Sequence, residues 1–166
     1  EWSDRGDGPG APVATHSPGS PVIQPGKRDG SKIRLPTGNY LEETAYYYVM
    51  VENKQGGYSP ALITMKSTQL SVSKKWNSMM KSVQIDDGKG GFAVPPMHGV
   101  VYTLQSNLQK NDKGSWYRCV VNMERIMGQQ DKTLYLNAKD FSGNVSKGNV
   151  QTKADVEETS QTKTPF

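Results

Sequence analysis

The chain has 166 residues, about the size of one domain, so two full cores are not expected. Hydrophobic residues make up 34% and charged residues 22%, with 17 Gly and 10 Pro, a balance that points to polar, loosely ordered ends around a smaller core. The single cysteine, Cys119, excludes an internal disulfide, and apolar runs such as residues 45–51 are too short to cross a bilayer as a helix. The net charge is +4: residues 1–39 carry +1, residues 40–150 carry +4 and residues 151–166 carry −1. An excess of that size in the middle permits polyanion binding without demanding it. The sequence opens on Glu1 with neither Met nor a basic-then-apolar leader, and is expected to be a processed product or a fragment.

Residues 1–39 are punctuated by Gly8-Pro9-Gly10, Pro18-Gly19 and Pro25-Gly26, and read as an arm or a set of edge strands. Only Val22-Ile23 and Ile33-Arg34-Leu35 suit short strands there, and the lack of a Gly-X-Y period excludes collagen. Residues 45–51 are rich in aromatic and β-branched side chains, then stop at Asn53 and Gly56-Gly57. With residues 58–66 they predict a β-hairpin. Ser67-Thr68 offers an N-cap for a helix over about residues 69–82, where Val72, Trp76, Met79, Met80 and Val83 fall at helical spacing. Lys74, Lys75, Asn77 and Lys81 take the other side. Asp86-Asp87-Gly88 and a Gly-rich turn follow, with Phe92 and Val94 expected as apolar anchors before Pro95-Pro96.

A second hairpin is predicted from residues 100–108 and 115–127 around Asn111-Asp112-Lys113-Gly114. In its second strand Tyr117, Cys119, Val121 and Met123 share one face, and Trp116, Arg118, Val120 and Asn122 the other. Leu134, Ala138, Phe141 and Val145 predict a second amphipathic helix over residues 131–145. Residues 151–166 lack a periodic apolar pattern and read as a disordered tail. The order of elements predicts a mainly β fold with two short helices, a small antiparallel OB-like barrel over residues 40–150. A flexible N-terminal arm (1–39) and a C-terminal tail (151–166) flank it.

Catalytic and metal chemistry finds little support in this pattern. His16, His98 and Cys119 are the soft ligands, without Cys-x-x-Cys or His-x-x-x-His spacing, so neither a metal nor another cofactor is expected. A Cys119–His98 nucleophile pair is conceivable across the second hairpin, but a mid-strand thiol is ordinarily buried and inert. Asp86-Asp87-Gly88 reads as a turn, and Gly88-Lys89-Gly90-Gly91 lacks the Gly-Lys-Ser/Thr ending of a P-loop. Arg5-Gly6-Asp7 matches the integrin tripeptide, and a three-residue match in a Gly-rich stretch reads as coincidence. The expectation is a protein that is not an enzyme.

Rings beside positive charges carry the functional reading. Bases of a single strand stack on aromatic rings while Lys and Arg track the phosphates. Trp116, Tyr117 and Arg118, helped by Lys74, Lys75, Lys81 and Lys113, form the candidate nucleic-acid-binding set. Trp76, in register with Val72 and Met79, is expected in the core, and Tyr47 faces away from Tyr46 and Tyr48. An aromatic β core with no ligand accounts for the same residues equally well. Asp155, Glu157 and Glu158 ahead of Thr164-Pro165-Phe166 resemble the C-termini of bacterial single-stranded-DNA-binding proteins. That resemblance implies recruitment of replication proteins through Pro165 and Phe166.

Residues 59–70 (Ser59-Pro60-Ala61-Leu62-Ile63-Thr64-Met65-Lys66-Ser67-Thr68-Gln69-Leu70), residues 73–80 and Asn111-Asp112-Lys113-Gly114-Ser115-Trp116-Tyr117 resemble a family of small tailed-phage proteins associated with replication and recombination. The resemblance covers roughly residues 40–150 and brings no catalytic motif. It implies a non-enzymatic single-stranded-DNA-binding protein in the cytoplasm of an infected bacterial host. The alternative is a structural virion or assembly module without nucleic-acid binding, whose arm and tail reach neighbouring subunits. Homo-oligomers fit either reading.

Overall fold

The computed structural model describes residues 1–3, 12–112 and 114–150. The Arg5-Gly6-Asp7 tripeptide, Lys113 and the tail with Pro165 and Phe166 lie outside the described residues. The chain divides into two compact units, Glu1–Ala45 with Thr64–Ser73, and Tyr46–Ile63 with the remainder from Lys74.

In the first unit, three short strands, β1 (Lys27–Asp29), β2 (Lys32–Arg34) and β3 (Tyr40–Glu42), form an antiparallel sheet in sequence order. Ile33 stands opposite Arg28 on one side and Leu41 on the other. The strand expected at Val22-Ile23 is instead a 3-10 turn, Pro21–Ile23, where the proline has no N–H to leave unbonded. Gly26 passes so close to β2 that a Cβ there would collide with Ile33. Trp2 and Tyr40 exchange backbone hydrogen bonds at 2.8 and 3.0 Å. The Glu1 carboxylate accepts from Asn39 Nδ2 at 2.7 Å and lies 2.8 Å from His16 Nε2. Those two bonds, Asn39 first, hold its pKa below the ordinary glutamate value. Leu35, Met65 and Val72 are buried in this unit.

The long strands β4 (Thr44–Glu52) and β5 (Tyr58–Lys66) make the first predicted hairpin, and helix α1 (Leu70–Ser82) follows a 3-10 turn at Ser67–Gln69. Ser67, expected as a cap, sits at φ 50°, and that turn has no side-chain cap bond. Next come the minimal hairpin β6 (Ile85–Asp86) and β7 (Phe92–Ala93), then β8 (Val100–Asn111), β9 (Gly114–Ile126) and helix α2 (Lys132–Ser146).

The turns after β4 and β6 are the same device. Asn53 Oδ1 accepts from the N–H groups of Gln55 and Gly57, at 3.0 and 2.9 Å. Asp87 Oδ1 accepts from those of Lys89 and Gly91, at 2.8 and 2.9 Å. The fourth residue of each is a glycine in the left-handed region, Gly56 at φ 77° and Gly90 at 85°.

In the second unit Trp76, Val83, Val100, Val121 and Ala138 are buried. Trp76 stacks on Tyr47 with centroids 4.3 Å apart and meets Tyr102 edge-on at 5.6 Å. Tyr47 also donates its hydroxyl to Asn77 Oδ1 at 3.0 Å, whereas Tyr46 and Tyr48 on the opposite face are exposed. The fold is mainly β with two helices, as the pattern predicts. Its strands form four small antiparallel sheets, with no closed barrel among the described residues. The OB-like closure is not seen, since β8 and β9 pair with each other and with no further strand among the described residues.

Candidate interaction surface

The β8–β9 hairpin is the longest paired element. Its ladder runs from Val100 opposite Ile126 to Asn111 opposite Gly114, with one irregularity at Val101/Tyr102, where β9 carries Glu124 as an extra residue. Opposed residues share a face. One face therefore holds the pairs Tyr102/Met123, Leu104/Val121, Ser106/Cys119 and Leu108/Tyr117. The other holds Thr103/Asn122, Gln105/Val120, Asn107/Arg118 and Gln109/Trp116.

The first face is apolar and uncovered toward the turn. Val121 is buried, but Leu104, Leu108, Tyr117 and Met123 are exposed, Tyr117 to 67%. The alternation in the sequence places Tyr117, Cys119, Val121 and Met123 on this one face, as found, but does not tell whether anything covers it. Trp116 and Arg118 do share the second face, as predicted, and both are half-buried. The Trp116 indole N–H is shut from solvent without a hydrogen-bond partner among the described residues.

Lys74, Lys75 and Lys81 are exposed on α1. That helix meets the hairpin at its base, through Trp76 and Tyr102. Trp116 pairs with Gln109, seven residues further along β8, about 24 Å at the usual rise of a strand. The described members of the predicted set thus lie apart, the lysines on a helix at the base and Trp116, Tyr117 and Arg118 near the turn on the two faces of the hairpin. Phe92 and Val94, expected as anchors, are 76% and 56% exposed, and Met97 beside them is also exposed. The two-residue strands there pair only with each other among the described residues.

Ionisable groups serve the joint between β9 and α2. Arg125 Nη1 donates to Asp131 Oδ2 at 2.7 Å, and the Gly128 N–H donates to the same oxygen at 2.9 Å. The Gly128 N–H first, then Arg125, hold the Asp131 carboxyl below its ordinary pKa. His98, on the 3-10 turn Met97–Gly99, lies 5.3 Å from the Tyr135 ring of α2. Burial first, then nearby Lys139, push its pKa below the ordinary histidine value. A shallow groove beside this joint is lined by Met127, Gly128, Gln129, Lys132 and Tyr135. Among the described residues no three His, Cys, Asp or Glu side chains gather to hold a metal, and no helix is long and apolar enough to cross a membrane.

No curated protein and no solved structure matches the chain. The profile of the Pam3 phage gp34-like proteins matches residues 1–151, nearly the whole sequence, and matches a chain whose segments already resembled small phage proteins. The chain belongs to the Pam3 phage gp34-like protein family.

Proposed function

We propose that this protein is a non-enzymatic assembly module of a phage particle, a part whose apolar surface is completed by neighbouring subunits. One observation carries the reading. Among the described residues, thirteen large hydrophobic side chains are exposed while eight hydrophobic residues form the buried core. Scattered exposure is ordinary on a soluble protein, but apolar side chains clustered on one sheet face and on the 92–97 segment mark surfaces made for contact. Mass spectrometry of gradient-purified particles of the phage encoding the chain tests this. The expected result is the chain at a fixed ratio to a known particle protein. Abundance in the infected-cell lysate with absence from particles overturns it.

Single-stranded DNA binding is the second reading, favoured by the exposed Tyr117 ring near the hairpin turn and by the three exposed lysines of α1. Recruitment of replication proteins by Pro165 and Phe166 belongs with it, and both readings place synthesis in the cytoplasm of an infected host. Anisotropy of labelled oligo-dT, with duplex DNA as control, separates it from assembly. Tight binding to the single strand that weakens with added salt supports DNA binding. No binding at low salt removes it.

A further inference from the structure

The outer edge of β8 is unusual for a free strand. Residues 104–108 are all exposed, and the strand pairs only with β9 among the described residues. Soluble proteins guard such edges with charges, prolines or bulges, yet twelve residues of β8 carry a single charged side chain, Lys110, and no proline. The carbonyl of Leu108 is reached by the side-chain amide of Gln109, at a long 3.4 Å, as an outward carbonyl without a partner strand would be. On β9, by contrast, Trp116, Arg118, Cys119 and Val120 are half-buried and Val121 is buried.

The sequence of β8 is complementary to itself about Ser106. Turned end for end about that residue, Leu104 meets Leu108, Gln105 meets Asn107, Thr103 meets Gln109, and Tyr102 meets Lys110. Even positions meet even positions, so the apolar face of one copy continues into the apolar face of the other. The amide face pairs Gln with Asn. The charges also agree: each Lys110 lands opposite a Tyr102 and not beside its own image.

From these observations we infer that β8 pairs with β8 of a second copy of this chain, antiparallel about Ser106, to make a four-stranded sheet β9-β8-β8-β9 with one continuous apolar face. The inference rests on the assembly reading and names the partner within it. The paired stretch, residues 102–110, is about 30 Å long and one sheet thick, so it buries on the order of 600 Å² over both copies. That is about half of what a stable interface needs, so the contact is reversible in solution and forms at high protein concentration.

Cross-linking reads the register directly. Opposed residues in an antiparallel pair have Cα atoms about 4.5–5.5 Å apart, within disulfide reach. Within one chain Ser106 faces Cys119, so the experiment uses a Cys119→Ala background to prevent an internal bond. Ser106→Cys in that background, mildly oxidised at high protein concentration, is expected to give a covalent dimer as the main species. Thr103→Cys, about 20 Å from its own image in this register, is expected to give none. Leu104→Lys with Leu108→Lys, checked for folding by circular dichroism, is expected to shift the sedimenting mass from dimer toward monomer. Failure of Ser106→Cys to cross-link, or equal cross-linking at position 103, overturns the pairing. If the wild-type protein still self-associates or is found in particles, only the β8 contact falls; if it does neither, the assembly reading falls with it.

Discussion

On the Met97–Gly99 turn, His98 Nε2 is shut from solvent without a hydrogen-bond partner among the described residues, with Tyr135 and Lys139 of α2 nearby. Both burial and a neighbouring cation favour the neutral ring, so the folded pKa lies below the ordinary value of about 6.5. The sign follows. The unfolded chain takes up this proton more readily, so the stability is present above pH 6.5 and is lost as pH falls below it. A melting temperature that drops between pH 7 and pH 5, and a flatter profile for His98→Phe, is the expected result. An unchanged profile in the variant would place the acid sensitivity elsewhere. Glu1, lowered by Asn39 and His16, acts in the same sense but at more acidic pH, below the ordinary glutamate range.

At the scale of elements, the twin turns after β4 and β6 give each of their two glycines a different job. Gly56 and Gly90 supply the left-handed backbone, while a Cβ on Gly57 or Gly91 would lie 2.9 Å from Asn53 Nδ2 or 2.8 Å from Asp87 Oδ2. Gly57→Ala therefore displaces the Asn53 side chain and breaks its two N–H bonds, at a cost of about 1 kcal/mol. Denaturant unfolding of Gly57→Ala, Asn53→Ala and the double variant should show strong non-additivity, since either change removes the same bonds. Additive losses would mean that the bonds do not stabilise the turn. Such turns were readable in advance because Asn-x-x-Gly-Gly and Asp-x-x-Gly-Gly state their own geometry. So were α1, through Val72, Trp76 and Val83, and the long hairpin, through its two-period alternation. Of the β1–β3 sheet only the strand expected at residues 33–35 was readable, realised as β2, because Lys27-Arg28-Asp29 shows no alternation and its pairing is held by backbone bonds. Nor could period alone show that Leu104 and Leu108 lie bare: alternation tells which side is apolar, and only the neighbouring layers tell whether that side is covered. The two-patch arrangement of Trp116 and the α1 lysines likewise depends on where α1 docks.

For the whole molecule, the two functional readings respond to salt with opposite signs. Association through apolar surface is screened little and is strengthened by sulfate, which is excluded from protein surfaces. Binding of DNA phosphates to a chain of net charge +4 weakens as counterions compete. Sedimentation in rising ammonium sulfate is expected to move the protein toward larger species; a shift toward smaller ones would identify the contact as ionic. The β8 edge also has a consequence in time. Its partner β9 follows within a few residues of chain, so the hairpin can close in about 1–10 μs, whereas synthesis adds residues at about 5–20 per second. The edge can therefore form as soon as β9 is clear of the ribosome, before α2 is free to pack beside it. If β8 pairs as inferred, neighbouring nascent chains on one message would present matching strands to one another at high local concentration, and pairing would begin during translation.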